Sequence, residues 1–476
     1  MMGKRSDQLE LQLKEIRKEL AIQHLRAFEA AKQSRRTDNW LATNRGPNAD
    51  LRLALQRIIA RHQDLVDSDP WASKAISVVT NNWIGDGIVG APTGASRRFA
   101  EGYREWAEST DCDFYGQHNF YGLQSLIART VAVRGSCLVR RRIDESLVRR
   151  GLMPLQLQLL EPDYLDVSKD DGAKIRFGKQ YDDQGRLEGY WIRRAHPGES
   201  DWTATTIQES DFVDKSEICH VFDVRRPGQA TGVPFGVSAL LKLRDVSDRD
   251  AAQLLKDKLA SCFMAFVHDA EADPLAASGI ELLDTLEPGV IEQLPPGKDI
   301  TFATPPGSGD YVANQKFHLL SIAVAYEVTY ESLTGDLGNV NFSSGRMGWM
   351  EMRRAVARWR WGIIIPQLLN PVASWYRDAV ALIGPGRVTA RFEWTPPVTW
   401  LVDPAREIPA YIDAVRAGFM SLSEIHRMLG YVPAVVIQEL GQDLDRARAA
   451  GLKLDVDLAA GGGTVRPVVN DGQSVG

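Results

Sequence analysis

With four cysteines in 476 residues, the chain has no disulfide framework to lean on. Cys112, Cys137, Cys219 and Cys262 lie far apart, and no two form the close pair of a zinc knuckle. Buried, reduced thiols are the expectation, as in a cytosolic protein. Runs of about 18 apolar residues are missing, which excludes a helical membrane span. The amino terminus passes from Met1 through Lys4 and Arg5 into a charged helical pattern, without the apolar centre of a signal peptide. An excess of positive charge is missing too. The 56 Lys and Arg stand against 62 Asp and Glu, giving a net charge of -6. Proteins that hold DNA tightly by neutralising phosphates are usually basic, so the chain as a whole is not built to clasp it.

The constellations of common enzymes are also absent. No GxxxxGK[ST] phosphate loop occurs, which argues against an ATP motor. Gly236-Val-Ser238 lacks the second glycine of a nucleophile elbow. No HExxH exists, and the eight histidines are scattered. Cys219 and His220 are adjacent in a strand-like segment, so they point to opposite faces and do not share a metal; His220 reads as structural. Asp245, Asp248 and Asp250, interleaved with Arg244 and Arg249, read as the solvated face of a helix. Gly85-Asp-Gly-Ile-Val-Gly90 matches GxGxxG, but a helical pattern precedes it where a dinucleotide fingerprint needs a strand, so it reads as a helix-ending turn. No catalytic residue, cofactor or metal is expected.

What is present is an ordinary soluble composition, 44% hydrophobic and 25% charged, long enough for about two to four domains with a substantial core. Residues 8–35 are charged and helix-forming, and 34–50 read as a linker around Gly46-Pro47. Residues 51–82 read as two helices, with Asp69 capping the second and Pro70 at its first position. Residues 136–224 turn to strand patterning between Asp/Gly turns. A long helix is expected over 238–265, then a Pro/Gly-punctuated module with short strands over 266–309, then a helix over 310–334. Helix resumes at Ser343 and runs to Ile383, kinked or broken at Pro366 and Pro371. A strand follows over 388–394, helices from 403 to about 454, and a disordered tail.

The richest segment is 331–360. A helix ends near Thr334, a loop of Gly, Asn and Ser follows, and a helix dense in Arg and Trp begins. Arg346, Arg353 and Arg360 repeat every seven residues and so share a face within about 40°; Arg354 and Arg358 lie among them. Two readings stand: a helix packed between subunits, with its Arg paired to acids and its Trp buried, or a set of phosphate contacts. Two long helices joined by a polar loop with no catalytic group suit a part that touches a passing polymer without gripping it.

Four blocks of sequence then resemble the lambda-type family of tailed-phage portal proteins. They are Arg61–Pro70 running to Asn82–Ile88, Arg226–Gln229 with Gly232–Pro234, Leu333–Leu337 through Phe342–Arg346, and Asp403-Pro404 with Ala417–Leu422 and Leu429–Tyr431. They fall in the family's order and span about residues 50–455; Phe342 stands where the family often has Tyr, and the ring is kept.

The resemblance implies an α+β portal-protein fold, mainly helical, assembled as a ring of usually twelve subunits at one capsid vertex. On this chain it implies an N-terminal arm (1–40), a first wing part (41–237), stem helix 1 (238–265), clip (266–309), stem helix 2 (310–334), tunnel loop (335–344), second wing part (345–402), crown (403–456) and flexible tail (457–476). The arm would meet capsid or scaffold, or be a frayed helix. Double-stranded DNA would pass through the channel on packaging and ejection. The terminase large subunit would dock at the clip, at Asp284, Glu287, Glu292 and Lys298, as would head-completion or adaptor proteins later. Expected partners are therefore sister subunits, DNA, terminase, major capsid protein, scaffold and adaptors, with no membrane. The setting is the virion, and the host cytoplasm during assembly.

Twelve copies at -6 would carry roughly -72, a field that repels DNA at long range. A polar or acidic bore with sparse cations is thus expected. Asp336, Asn339 and Asn341 are its candidates in the loop, Asn314 and Lys316 in the preceding helix, with Gly335 and Gly338 allowing movement. The competing class is a non-viral DNA-binding scaffold or metal-dependent nuclease, monomeric or dimeric, with salt-sensitive DNA affinity.

Overall fold

The computed structural model describes residues 44–199, 209–261, 265–269, 298–302, 311–338, 340–384, 386, 388–398 and 403–452, with a few positions before residue 44. Met1–Asp50 and Leu51–Gly476 form separate units. In the first, residues 13–15 and 17–18 are helical.

The second unit begins within α1 (Pro47–Ser68) and continues into α2 (Pro70–Trp83). Asp69 separates the two as expected: its carboxylate accepts the Ala72 amide at 2.8 Å, and Pro70, with no N–H to satisfy, starts the helix. The Gly85–Gly90 turn leads into strand β1 (Val89–Thr93), not into a helix, so no dinucleotide fingerprint forms. Gly87 has φ 116 and no room for a side chain, since a Cβ there would stand 2.6 Å from the Tyr121 ring. Helices α3 (Arg97–Glu108) and α4 (Phe120–Arg134) follow, capped by Ser96 and Asn119.

Two sheets fill the stretch read as strands. The first takes β2 (Ser136–Ile143) and β3 (Leu155–Leu160), separated by the short α5 (Glu145–Arg149). The second is the meander β4 (Ile175–Arg176), β5 (Lys179–Tyr181), β6 (Leu187–Arg193) and β7 (Ser210–Asp214). The chain then returns to add β8 (Ile218–Phe222) to the first sheet, in the order β3-β2-β8. Period-two alternation turns Leu138, Leu160 and Ile218 of one sheet toward Tyr190, Ile192 and Val213 of the other, forming a small core.

Beyond a 3₁₀ turn at Val237–Ala239, α6 covers Leu240–Ser261, shorter than the expected 238–265. Ala265 already belongs to strand β9 (Ala265–Asp269), which pairs antiparallel with β10 (Lys298–Phe302). Phe266 and Val267, aromatic and β-branched, favour the strand over a further helical turn. The expected clip strand at 289–294 lies outside the described residues.

The expected single helix over 310–334 is two: α7 (Tyr311–Ala325) and α8 (Tyr330–Thr334). Glu327 between them has φ 51, and Thr329 caps α8. No Gly or Pro marks this corner; the burial of Tyr326 makes it. At Pro366 and Pro371, where a kink or a break was expected, the helix is not broken. Helix is unbroken from α9 (Phe342–Trp359) through a ten-residue π-helical segment, Arg360–Leu369, into α10 (Asn370–Ile383). Wider π turns accommodate the Pro366 ring and its missing N–H, and Pro371 falls in the first turn of α10. Strand β11 (Arg391–Thr395) then pairs with β1, and α11 (Pro404–Arg416), α12 (Leu422–Met428) and α13 (Pro433–Ala449) complete the chain's described part.

The main core joins α2, α4 and the α9–α10 stretch. Its centre is a stack of Trp83 on Trp359, ring centroids 3.7 Å apart, with Phe235 edge-on to both. Cys112, Cys137 and Cys219 are buried free thiols; Cys262 lies outside the described residues.

Candidate functional site

Helices α6 and α7 are zipped together by polar contacts. The Tyr311 hydroxyl donates to Asp250 at 2.6 Å, Gln315 reaches the same carboxylate at 3.3 Å, and the Arg249 guanidinium lies 5.0 Å from the Tyr311 ring centre. Asp250 is therefore not part of a solvated acidic face, as its spacing implied. Asp248 does pair along the helix surface, with Arg244 at 3.3 Å.

At the end of this hairpin, α8 and the loop after it form a corner. Gly335 ends α8 in the left-handed region, φ 75, returning its amide to the Glu331 carbonyl. Asp336 is exposed and accepts the Gly338 amide at 3.0 Å. The Tyr330 hydroxyl points toward Asp336 at 3.5 Å, and the Lys316 ammonium lies 5.1 Å from the centre of the same ring. The fold thus brings Lys316 and Asp336 together through Tyr330, a residue that charge and loop composition did not flag. Asn314 is exposed on α7. Asn341 caps α9, accepting the Ser344 amide at 2.8 Å while the Ser344 hydroxyl reaches back to its own amide, so its carbonyl oxygen is already committed. Asn339, Asp284, Glu287 and Glu292 lie outside the described residues; Lys298 opens β10.

The basic helix does not present one cationic face. Arg346 is exposed. Arg353 rests on Trp349, 4.7 Å from the ring centre, and its pKa is lowered by partial burial. Arg354 pairs with Glu351 at 3.1 Å on the surface, and Arg358 reaches Asp223 at 2.8 Å. Arg360 turns inward and donates to the carbonyls of Trp83 and Asn82 at 2.7 and 2.8 Å. It closes the carboxyl end of α2, where the helix dipole favours a cation. Burial and the neighbouring Arg353 lower its pKa to about 10. Arg358 and Arg360 are thus both engaged within the chain. Arg353 and Arg360 are close enough to repel each other, as their seven-residue spacing implies.

One surface went unread in the sequence. Phe317, Leu320 and Val324 recur at helical spacing on α7 and are 65, 41 and 75% exposed. With Ser238 and Lys242 they line an open groove of about 470 Å³. The signal was there: α7 carries more apolar residues than its buried face of Leu319, Ile322 and Ala323 uses.

The one trio among the described residues with the spacing of a metal site is Glu161, Asp163 and His196. Arg134 already fills it, at 3.1 Å from Glu161 and 2.5 Å from Asp163, so its cation is a guanidinium. His220 is buried between Tyr190 and Phe222, and burial, then the nearby Lys179, hold its pKa well below the usual value. No helix among the described residues is long and apolar enough to cross a membrane.

Comparison with known proteins completes the picture. A probable portal protein of Halomonas phage phiHAP-1 is 25% identical over 468 residues, covering 90% of this chain and 88% of the relative. Among solved structures, a chain in the virion of a native gene transfer agent particle aligns with a TM-score of 0.47 at 14% identity, covering 79% of this chain and 93% of that one. An HK97 family phage portal protein from Corynebacterium diphtheriae aligns at 0.34 and 10% identity, covering 74% and 97%. The profile of the phage portal proteins of the lambda family matches residues 33–360. With that match spanning well over half of its length, the chain belongs to the lambda family of phage portal proteins.

Proposed function

We propose that this chain is one subunit of a closed ring through which double-stranded DNA is packaged and later leaves the capsid. The observation that carries the reading, beyond family membership, is the α6–α7 hairpin with its exposed stripe of Phe317, Leu320 and Val324. A stripe of that size left in water is unfavourable at roughly 25 cal/mol per Å² of apolar surface. Leu241, Leu254 and Leu255 are likewise exposed on α6, at 75, 56 and 58%. Two different apolar surfaces on one hairpin suit a heterologous contact, each copy offering α6 to the α7 groove of the next, and such contacts close into rings.

In this reading the loop after α8 faces the bore. It carries Asp336 as its one charged group between Gly335 and Ser344, and offers polar amides in place of cations, so DNA meets little to hold it. Residues 266–309 would form the clip that receives the terminase large subunit and later adaptor proteins, and the place of work would be the portal vertex of the virion. The role is structural, with no chemistry of its own.

Negative-stain electron microscopy of the purified protein tests the reading directly: rings with a central channel are expected, and a compact monomer under all assembly conditions would end it. Phe317→Asp with Val324→Asp should abolish the rings and leave monomers with an unchanged circular dichroism spectrum. Asp336→Ala with Asn339→Ala should leave rings intact and change the amount of DNA packaged or retained; loss of the ring in that variant would remove the loop from the bore.

A further inference from the structure

His62 lies on α1 with no exposed surface. Its Nδ1 is 2.7 Å from the Val133 carbonyl near the end of α4, and its Nε2 is 2.9 Å from the Tyr326 hydroxyl. A carbonyl only accepts, so Nδ1 carries the proton and donates. In a neutral ring Nε2 is then bare, and it accepts the Tyr326 O–H. One tautomer of the uncharged imidazole satisfies both bonds.

Tyr326 is the residue on which the α7–α8 corner turns. It is fully buried, and its ring lies so close to Gly236 that a Cβ there would stand 2.4 Å away. Glu327 follows at φ 51, and the Val328 amide folds back to the Ala323 carbonyl. The corner carries α8 and, through it, the loop at 335–341.

The charged groups on the surrounding elements do not serve His62. Asp69, at the start of α2, accepts from Ala72 and from Ser247 of α6 at 2.5 Å; it raises the pKa of Tyr326 but makes no bond to the imidazole. Arg134 on α4 is held by Glu161 and Asp163. Arg61 and Asp64 on α1, and Glu327 at the corner, are exposed. Among the described residues, no carboxylate pairs with either ring nitrogen.

We propose that the His62–Tyr326 hydrogen bond is a proton-operated clasp: protonation of Nε2 turns the acceptor into a donor, strands a charge away from water and acids, and releases the corner that holds the 335–341 loop. The clasp stands on its own geometry; that its opening would alter the passage of DNA rests on the bore-facing reading of the loop.

The direction in pH follows from burial, which lowers the His62 pKa below its ordinary 6.5, against the smaller opposing effect of the Val133 bond. Below pH 6.5 the unfolded chain takes up a proton that the closed clasp refuses. The clasp therefore contributes fully above pH 6.5 and weakens as pH falls from there toward the lowered value.

Hydrogen–deuterium exchange of the full-length protein, followed in peptides spanning 323–341 and corrected for intrinsic exchange, tests this. Between pH 7.5 and 5.0 wild type should lose about tenfold in protection there, equivalent to roughly one hydrogen bond, while peptides from α4 hold. Tyr326→Phe should exchange fast at both pH values, and His62→Gln, which cannot titrate near neutrality, should show no pH dependence. Unchanged wild-type protection, or acid loosening that persists in His62→Gln, overturns the proposal. If His62→Gln does not fold, exchange at the His62 Cε1 hydrogen in wild type gives its titration directly. A midpoint that tracks the loosening supports the clasp, and one that departs from it by more than about a pH unit overturns it. All of these readouts hold for monomer and ring alike, so failure of the clasp and failure of the ring are told apart.

Discussion

Lys179→Met will stabilise the protein at neutral pH, by about 3 kcal/mol, and the gain will fade as the solution is made alkaline. Lys179 opens β5 and is only 4% exposed. Its ammonium lies 4.8 Å from the centre of the Phe222 ring and 5.6 Å from that of Tyr190, and among the described residues no carboxylate pairs with it. The rings recover part of the lost hydration, but not all of it. Burial drives the pKa down to about 7 from 10.5. Between those two values the unfolded chain keeps its proton and the folded one gives it up, so native stability climbs with pH across that window. At pH 7 and below, most or all of the penalty remains. Methionine keeps the length and apolar body of the side chain and removes the charge. Thermal or urea unfolding of wild type and variant at pH 7 and pH 10 measures the effect: a clear upward shift at pH 7, shrinking to within about 1 kcal/mol at pH 10, is expected. A variant less stable at both pH values would mean that the amine has a polar partner.

Trp359→Ala acts in the opposite sense, with an expected loss of about 3–5 kcal/mol. Trp359 is 1% exposed, stacks on Trp83 at 3.7 Å with planes 21° apart, and meets Phe235 edge-on at 5.6 Å. Its indole N–H has no acceptor, so the loss is one of packing. The substitution also unseats the next residue, Arg360, whose donation to the carbonyls of Asn82 and Trp83 ties α9 to α2. Trp359→Phe should recover roughly half of the loss by keeping a ring in the stack. Equilibrium unfolding of the three proteins tests the order, and an alanine variant within about 1 kcal/mol of wild type would show that the main core does not depend on this stack.

Local chemistry made much of this architecture readable in advance. Asp69 and Pro70 announced the start of α2, the Asp/Gly turns separated the strands between Ser136 and Phe222, and the Gly/Asn/Ser run marked the loop before α9. Each depends on residues within a few positions of one another. What escaped depends on distant partners. The corner at Tyr326 has no breaker in its sequence, because it is set by His62, 264 residues earlier, and by Gly236. The π segment hides behind an ordinary helical pattern. At the candidate site, loop composition pointed to Asp336, but only the fold reveals Tyr330 between it and Lys316. The α7 stripe of Phe317, Leu320 and Val324 was not read from the sequence, because helical spacing alone does not say which apolar face the fold leaves uncovered.

The pairing of β1 with β11 sets Val89 against Thr395 and Thr93 against Arg391. A ribosome adding roughly 5–20 residues per second needs on the order of 15–60 s to deliver the second strand after the first. Through that interval the nascent chain has a strand with no mate, and the Trp83 ring likewise awaits Trp359. Premature termination anywhere before β11 would leave a sticky fragment instead of a smaller working piece. Translation must therefore be nearly finished before the main core can close.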